Sequence, residues 1–493
     1  MAWYKYVFGV PTVIGCMIGS GFVVPAFWFV SLAGVAWCIW YCQQSTSLTL
    51  GLAAAWWTWT IKSLFPVSYF LSAYPIDWLG FSLGPLEPVV IAFYWITVAV
   101  WLGVGGLVLY GGVHVVRAAP NWISYAAIPV IWLLAELFGA LSFSVFTFGP
   151  GGAINTQFSF GFVGYLLAQH AWLVQLASVG GVFGLSIVAT GLALFGQQLW
   201  LRRYRVIGVL SVVGFLLTSV ITFPTQPIPD QSFYTVATIN TSFPTTSRFT
   251  EQGVVMVQTQ LQTALDAAIA MNADYVLLPE DARLFDQSDT ATLRAYLGFK
   301  YGQTDTIIVD SGRVAQGEQA VLQATIYDSN ETAMYQSQKR YLVPQGEFLP
   351  YLYQGVLQAA GYGQAVDFLS SELSYRVGDD TSQADFAAHI PGVLFCFESN
   401  DPLGVRTIMR ERNDSVPFIA HVISHAWFHT PRVLWQQTEA MLRVQSIWND
   451  TYIVSASNHA PSYTVDPYGE LMLPEVVAAG EYWELGVTQI PVR

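Results

Sequence analysis

The sequence predicts a two-part fold class, a polytopic α-helical membrane domain followed by an α/β domain. Three observations predict it. Of the 493 residues, 53% are hydrophobic and only 11% charged, less than half the charged share of an ordinary soluble globular protein. Ionisable residues are then divided unevenly: up to Pro229 there are 6 Lys or Arg and 3 Asp or Glu, against 14 and 30 from Asp230 onward. Finally, long apolar runs fill the first part, whereas short β-branched runs alternate with helical segments in the second. The predicted boundaries are 1–229 for the helical domain and 230–493 for the α/β domain. A net charge of −13 offers no basic face to neutralise phosphates, which argues against a nucleic-acid partner.

Crossing a hydrocarbon core takes about 20 residues of helix, and seven runs approach that length: 7–23, 25–42, 46–62, 88–111, 122–142, 175–200 and 206–223. The first two lie back to back around Val24 and Pro25, which leaves a re-entrant pair open as an alternative. A cleaved leader is the competing reading of the first run, but its basic region is Lys5 alone and further apolar runs follow at once, so a retained helix is expected. Arg202, Arg203 and Arg205 form a tight basic loop before the last run. Short basic loops stay in the cytoplasm, so the chain is expected to leave the membrane outward after Pro224. Trp56, Trp57, Trp59 and Trp200 sit at segment ends, where they suit either the headgroup layer or helix packing. Glu136, inside an apolar run, is either a functional carboxylate or a hydrogen-bonded structural one. Residues 144–161, with their Gly-Pro-Gly-Gly, are expected to form an external loop.

In the α/β domain, residues 233–239 read as a strand and 254–271 as an amphipathic helix. A strand over 273–278 runs into Pro279-Glu280, which places Glu280 at a carboxyl end, where open α/β sheets put their ligands. Further strands are expected near 306–309, 324–327, 392–397, 418–422 and 452–456. Cys16, Cys38 and Cys42 lie in apolar runs, leaving Cys396 without a disulfide partner in the second part. Such a thiol in an oxidising compartment is either buried or used. The chain holds 16 Arg but four Lys, so wherever a generic cation suffices it writes Arg. Lys339, opening Lys339-Arg340-Tyr341-Leu342-Val343-Pro344-Gln345-Gly346-Glu347-Phe348, is therefore a candidate for a specific role, with a solvated turn as the plain alternative. His421, His425 and His429 recur at helical spacing, but on a strand and beside Trp427 in a packed loop, so no metal site is expected.

Pro279-Glu280, Lys339 followed by Leu-Val-Pro-x-Gly-Glu-Phe, and Cys396-Phe397-Glu398 resemble the Glu, Lys and Cys signatures of the nitrilase superfamily (carbon-nitrogen hydrolase domain), in order and at fitting separations. Joined to a polytopic membrane part, they resemble the apolipoprotein N-acyltransferase family. The run from Leu173 to Ser186 is similar to that family's segment before its penultimate helix, and the resemblance covers nearly the whole chain. It implies a four-layer α-β-β-α sandwich on the outer face of a bacterial cytoplasmic membrane, anchored by a multi-pass domain.

The same resemblance implies roles. Cys396 would attack the ester of a phospholipid acyl donor to give a thioester acyl-enzyme. Glu280 would be the general base. Lys339, with a backbone N–H near Cys396, would stabilise the oxyanion and lower the thiol's pKa. Glu347 matches a second, supporting Glu, while Phe397 and Glu398 flank the nucleophile, Phe397 without the aromatic hydroxyl common there. The acceptor would be the N-terminal diacylglyceryl-cysteine of an apolipoprotein, in ping-pong order, with no cofactor and the enzyme a monomer. The sequence also departs from the family. It ends at Arg493 without the closing apolar helix expected after the sandwich, and Ala135-Glu136-Leu137-Phe138 lacks an Arg. Asn240, His425 and His459 stand where Gly, Asn or Asp is usual, at positions bearing on lipid and acceptor recognition.

Two rivals remain: a membrane-tethered amidase using water as acceptor, and a catalytically dead binding domain on a transporter-like base. Seven helices gain nothing for a hydrolase of small soluble amides, and intact Glu280, Lys339 and Cys396 argue against the second.

Overall fold

The computed structural model describes residues 5–77, 84–200, 232–285, 290–302, 304–317, 319–328, 333–359, 361–378 and 383–492. The first part forms α1 (Val10–Val23), α2 (Trp28–Gln44), α3 (Leu48–Leu64), α4 (Glu87–Leu102), α5 (Gly105–Val116), α6 (Asn121–Phe146) and α7 (Gly181–Trp200). Among the described residues five stretches are long and apolar enough to cross a membrane: Tyr6–Val23, Pro25–Gln44, Gly84–Val116, Trp122–Phe146 and Gly181–Leu199. Large apolar side chains such as Phe29, Val89, Phe93 and Trp122 point outward from them, as lipid-facing helices require.

Two runs account for five rather than seven, and a third keeps its span with a later start. The run at 46–62 becomes α3, a shorter helix of 17 residues. The run at 206–223 lies outside the described residues, as does the Arg202–Arg205 loop. The run at 175–200 starts its helix late, because Val174–Val179 is a 3-10 turn and Gly181 turns left-handed at φ +56, where a Cβ would sit 2.3 Å from the Trp448 ring. The run at 88–111 is bent rather than straight: the helix breaks at Gly103, where a Cβ would lie 2.1 Å from Thr60 Oγ1. Small residues let these helices approach closely. At Val24 the backbone is extended and Pro25 opens a new turn, so the first two runs are two packed helices. The expected loop at 144–161 begins only after α6 ends at Phe146.

Glu136 is held through one of its carboxylate oxygens. Its Oε1 accepts Val163 N at 2.7 Å and Trp132 Nε1 at 3.1 Å, with Lys62 Nζ at 3.7 Å. It thus ties α3 and α6 to the buried turn Val163–Leu166, and it does not line the cavity at Cys396 described below.

The second part contains strands β1 (Phe233–Thr241), β2 (Tyr275–Leu277), β3 (Ile307–Gln316), β4 (Gln319–Asp328), β5 (Ala333–Gln338), β6 (Gly392–Phe395), β7 (Ile419–Ser424), β8 (Ile453–Asn458), β9 (Thr464–Val465), β10 (Leu471–Met472), β11 (Glu475–Ala479) and β12 (Trp483–Pro491). Its helices are α8 (Glu251–Ala270), α9 (Thr290–Tyr301), α10 (Tyr351–Ala359), α11 (Gly363–Glu372), α12 (Gly404–Glu411) and α13 (Arg432–Asn449). β1, β2 and β3 are parallel neighbours, and β4 and β5 follow antiparallel. β6, β7 and β8 run parallel, and β8 meets β1 in parallel at Thr241 and Asn458.

Side-chain alternation makes these two groups of strands the middle of a sandwich. On β2, Tyr275 and Leu277 point into the same apolar layer as Ala420 and Val422 of β7 and Val454 of β8. The alternate residues face away: Val276 meets Leu261 and Leu265 of α8 and Leu297 of α9, while Ile419 and Ile453 meet Ile408 of α12 and Leu442 of α13. Four layers, α-β-β-α, result. Helix α13 has a second apolar face, where Met441, Val444 and Ile447 enter the core formed by the membrane-type helices; Gln437 Nε2 also donates to Pro66 O at 2.6 Å.

Candidate active site

Parallel strands bring their carboxyl ends to one edge of the sandwich. β5 is antiparallel to β4 and therefore runs with β3 and β2. Lys339 directly follows β5, Cys396 directly follows β6, and Glu280 follows β2. The 392–397 strand expected from the sequence stops at Phe395 and Cys396 begins a 3-10 turn, Cys396–Asn400. Glu398 is the reason: its carboxylate folds back to accept Phe395 N at 3.0 Å and also accepts Arg340 N at 2.6 Å. It pins the backbone on which Cys396 stands to the backbone beside Lys339.

Lys339 is fully buried, so its ammonium needs partners. Its Nζ donates to Glu280 Oε1 at 2.9 Å and Glu347 Oε1 at 2.7 Å. Glu347 is positioned in turn by Val343 N, which donates to its other oxygen at 2.7 Å. The loop between them is rigid: Gln345 takes φ +62, and a Cβ on Gly346 would lie 2.3 Å from the Trp427 ring. Cys396 is half-buried, and its Sγ–H donates to Ser424 O at 3.5 Å. Phe397 packs toward the helical part, its ring 6.4 Å from that of Phe158.

Burial pushes the Glu280 carboxyl up to about 7; Lys339 opposes this and Glu347 adds to it. Burial alone would push Lys339 down, but Glu280 and Glu347 outweigh it and hold the ammonium above its usual range. Burial and then the Glu280 charge push the Cys396 thiol up, against the pull of Lys339. Lys339 does pull the thiol toward acidity, as expected, but burial and the Glu280 charge outweigh that pull. The Lys339 charge is shared by two carboxylates, which limits its pull on the sulfur.

Cys396, Glu280, Glu347 and Ser424 line one side of a cavity of about 120 Å³; Tyr69, Phe70, Phe143, Phe158 and Phe160 close it from the helical part. Sequence reasoning missed these aromatics, because nothing in an apolar run distinguishes a ring facing lipid from one facing a distant thiol. It also missed Arg313 and Asp281, which line the same cavity. The three histidines disperse: His421 Nδ1 is 3.0 Å from Ser455 Oγ, His429 Nε2 is 3.0 Å from Pro75 O, and His425 lines the cavity. Among the described residues no cluster of His, Cys, Asp or Glu is arranged to hold a metal.

Comparison with known proteins found no matching family model. It did find homologues among the apolipoprotein N-acyltransferases, at 20–25% identity and broad coverage. The chain is similar to the apolipoprotein N-acyltransferase of Rickettsia prowazekii, 22% identical over 334 residues, covering 65% of this chain and 63% of that one. The chain thus spans less than two thirds of that relative's length. It is also similar to the enzymes of that name from Thermotoga maritima, 24% identical over 78% of this chain and 71% of that one, and from Prochlorococcus marinus, 25% identical over 84% and 78%. Among solved structures it is similar to a CN-hydrolase superfamily protein from Xanthomonas campestris (14% identity, TM-score 0.35, 53% of this chain and 91% of that one). Another is the glutamine-dependent NAD+ synthetase of Acinetobacter baumannii (13% identity, TM-score 0.34, 52% and 45%).

Proposed function

We propose, starting from the homology to apolipoprotein N-acyltransferases, that this chain moves an acyl group from a phospholipid to the N-terminal diacylglyceryl-cysteine of a lipoprotein through a thioester on Cys396. The observation that carries this reading is the composition of the cavity. A thiol and two buried carboxyls, bridged from behind by the Lys339 ammonium, stand on one side, and aromatic rings from membrane-type helices stand on the other. A soluble amide has no use for the second wall, whereas an acyl chain rising from a bilayer does.

In the first half-reaction Glu280 takes the Sγ proton as sulfur attacks the ester carbonyl. Charge develops on the carbonyl oxygen, and Lys339, held rigid by its two carboxylates, stabilises it. Collapse expels the lysophospholipid alkoxide, which recovers the proton from Glu280 and leaves the thioester. In the second half-reaction Glu280 takes a proton from the acceptor's amine as nitrogen attacks the thioester, and returns it to the departing sulfur. Glu347 and Glu398 position Lys339 and Cys396 through the bonds described above.

The chain acts in this reading as a monomer with no cofactor, at the bacterial cytoplasmic membrane. Its α/β part, from about residue 230, stands outside, since the Arg202, Arg203 and Arg205 loop belongs on the cytoplasmic side. The test is mass spectrometry of purified protein incubated with phospholipid. An acyl adduct on Cys396 that diacylglyceryl lipopeptide discharges to N-acyl peptide supports the transferase. An adduct that decays to free fatty acid at one rate with or without lipopeptide replaces it with a membrane-tethered hydrolase.

A further inference from the structure

The charges around Cys396 account for Lys339, Glu280, Glu347 and Glu398, but a second set of cations beside them has no part in that chemistry. Next to Glu280 lies another cavity, of about 270 Å³, lined by Arg248, Arg283 and Arg313 with Asp281 among them. Asp281 accepts Arg283 Nε at 2.6 Å and Nη2 at 2.5 Å, and Arg313 Nε at 3.2 Å. Arg248 donates to the Ala282 carbonyl at 2.5 Å, and among the described residues no carboxylate pairs with it. Glu280 lines this cavity as well, so among the described lining residues three guanidiniums face two carboxyls, and one positive charge is in excess even with both ionised. Burial pushes Arg248 below its usual range; Asp281 opposes this, and the Arg283 and Arg313 charges add to it. Asp310, which does not line the cavity, is itself pushed up to about 7 by burial, and one of its oxygens is taken by Phe285 N at 3.0 Å. Asp281 and Arg283 both hold the left-handed backbone region, at φ 56 and 51, a strain that the turn retains while presenting these charges.

The two cavities share Glu280, Asp281, Arg313, Ser424 and Trp427, so they are adjoining compartments on either side of the general base. Their remaining walls differ. The first is closed by aromatic rings of the helical part, and the second is lined only by residues of the sandwich. Apolar toward the membrane helices and cationic away from them is the polarity of a lipid in a leaflet.

We propose that the Arg248, Arg283 and Arg313 cavity binds the phosphate of the glycerophospholipid donor while the ester carbonyl lies against Cys396 and the chain runs to the aromatic wall. This rests on the acyl-transfer reading. Guanidinium forks match phosphate oxygens in pairs, and such charge-assisted bonds are the strong ones. Ester and phosphate are a few bonds apart on glycerol, which suits two adjoining compartments. The phosphate would supply the negative charge that the arginine cluster lacks, and the binding energy would fix the ester against the thiol.

The test measures acylation of Cys396 by mass spectrometry in full-length protein in detergent micelles, with phosphatidylglycerol and with diacylglycerol, which carries the same esters but no phosphate. Wild-type protein is expected to acylate at least tenfold faster with phosphatidylglycerol, and the ratio of the two rates is expected to fall at least fivefold in Arg248→Gln and in Arg313→Gln. Millimolar inorganic phosphate is expected to slow the phospholipid reaction more than the diacylglycerol reaction. Equal wild-type rates with the two donors overturn the proposal without any variant having to fold. Inhibition by inorganic phosphate with an unchanged ratio in both variants overturns it too, since the cluster then takes free phosphate and not the donor. Absence of any Cys396 adduct in wild type, with either donor, is a failure of the acyl-transfer reading instead.

Discussion

Lys339 and Glu280 meet at 2.9 Å with both side chains buried, and Lys339 is shared with Glu347 at 2.7 Å. One ammonium between two ionised carboxylates leaves a net negative charge among buried side chains. Burial, with the Glu347 charge adding to it, raises the Glu280 carboxyl to about 7, a basicity suited to the proposed proton transfer from the neutral thiol.

Removing the ammonium should be costly twice over. Lys339→Met leaves two carboxylates facing each other in the interior, and breaking a buried ionic pair costs about 3–5 kcal/mol. We expect acylation to drop by about 10²-fold or more, with a lower melting temperature in detergent. Unchanged acylation kinetics would remove Lys339 from the mechanism.

The acylation rate should rise with pH. Glu280 accepts a proton only when ionised, and its carboxyl is pushed up to about 7, so below that pH the rate should fall about tenfold per unit and above it level off. No limb is expected near 8.5, where an ordinary thiol titrates, because Cys396 is held above that range. Glu280→Gln should erase the step near 7 and lower the rate by about 10²-fold. A single rise centred near 8.5 would assign the proton step to a free thiol.

Glu398 acts on geometry. Glu398→Gln keeps an acceptor for one of the two amides, Phe395 N or Arg340 N, but not a carboxylate for both. We expect kcat to fall with KM for the phospholipid nearly constant, since misplaced sulfur slows attack more than it weakens binding. A rise in KM alone contradicts this.

Gly181→Ala places a methyl into the Trp448 ring at a left-handed φ, which should cost about 1–3 kcal/mol. The check is thermal unfolding in detergent, where the variant should melt lower than wild type. An equal melting temperature would show that this junction yields.

A reporter fused after Arg493 should be active outside the cytoplasmic membrane. A fusion that works only in the cytoplasm would reverse the orientation read from Arg202, Arg203 and Arg205, and with it access to exported lipoproteins.

Local signals made much of the site's position legible. Strand-to-turn punctuation put Glu280 at the end of β2, and the scarcity of Lys drew attention to Lys339. The same signals failed where the decisive contact is remote. β12 went unrecognised although it pairs along the whole of β1, from Phe233 with Pro491 to Thr241 with Trp483, because Gly486 and the adjacent polar pair Thr488 and Gln489 interrupt its alternation. Length alone overstated the helix at 175–200, since the turn before Gly181 depends on Trp448, more than 260 residues away. Glu136 could not be assigned from sequence, because Lys62 and Val163, which satisfy it, are distant in the chain.

The double-faced helix α13 has a consequence for how this molecule can exist. Leu442 belongs to the sandwich and Met441, the very next residue, to the bundle, so excising either portion strips a wall from the other. A water-soluble fragment beginning near residue 232 would carry a bare greasy seam along Arg432–Asn449 and self-associate. Separating the two portions would require polar residues in place of Met441, Val444 and Ile447 on that one helix.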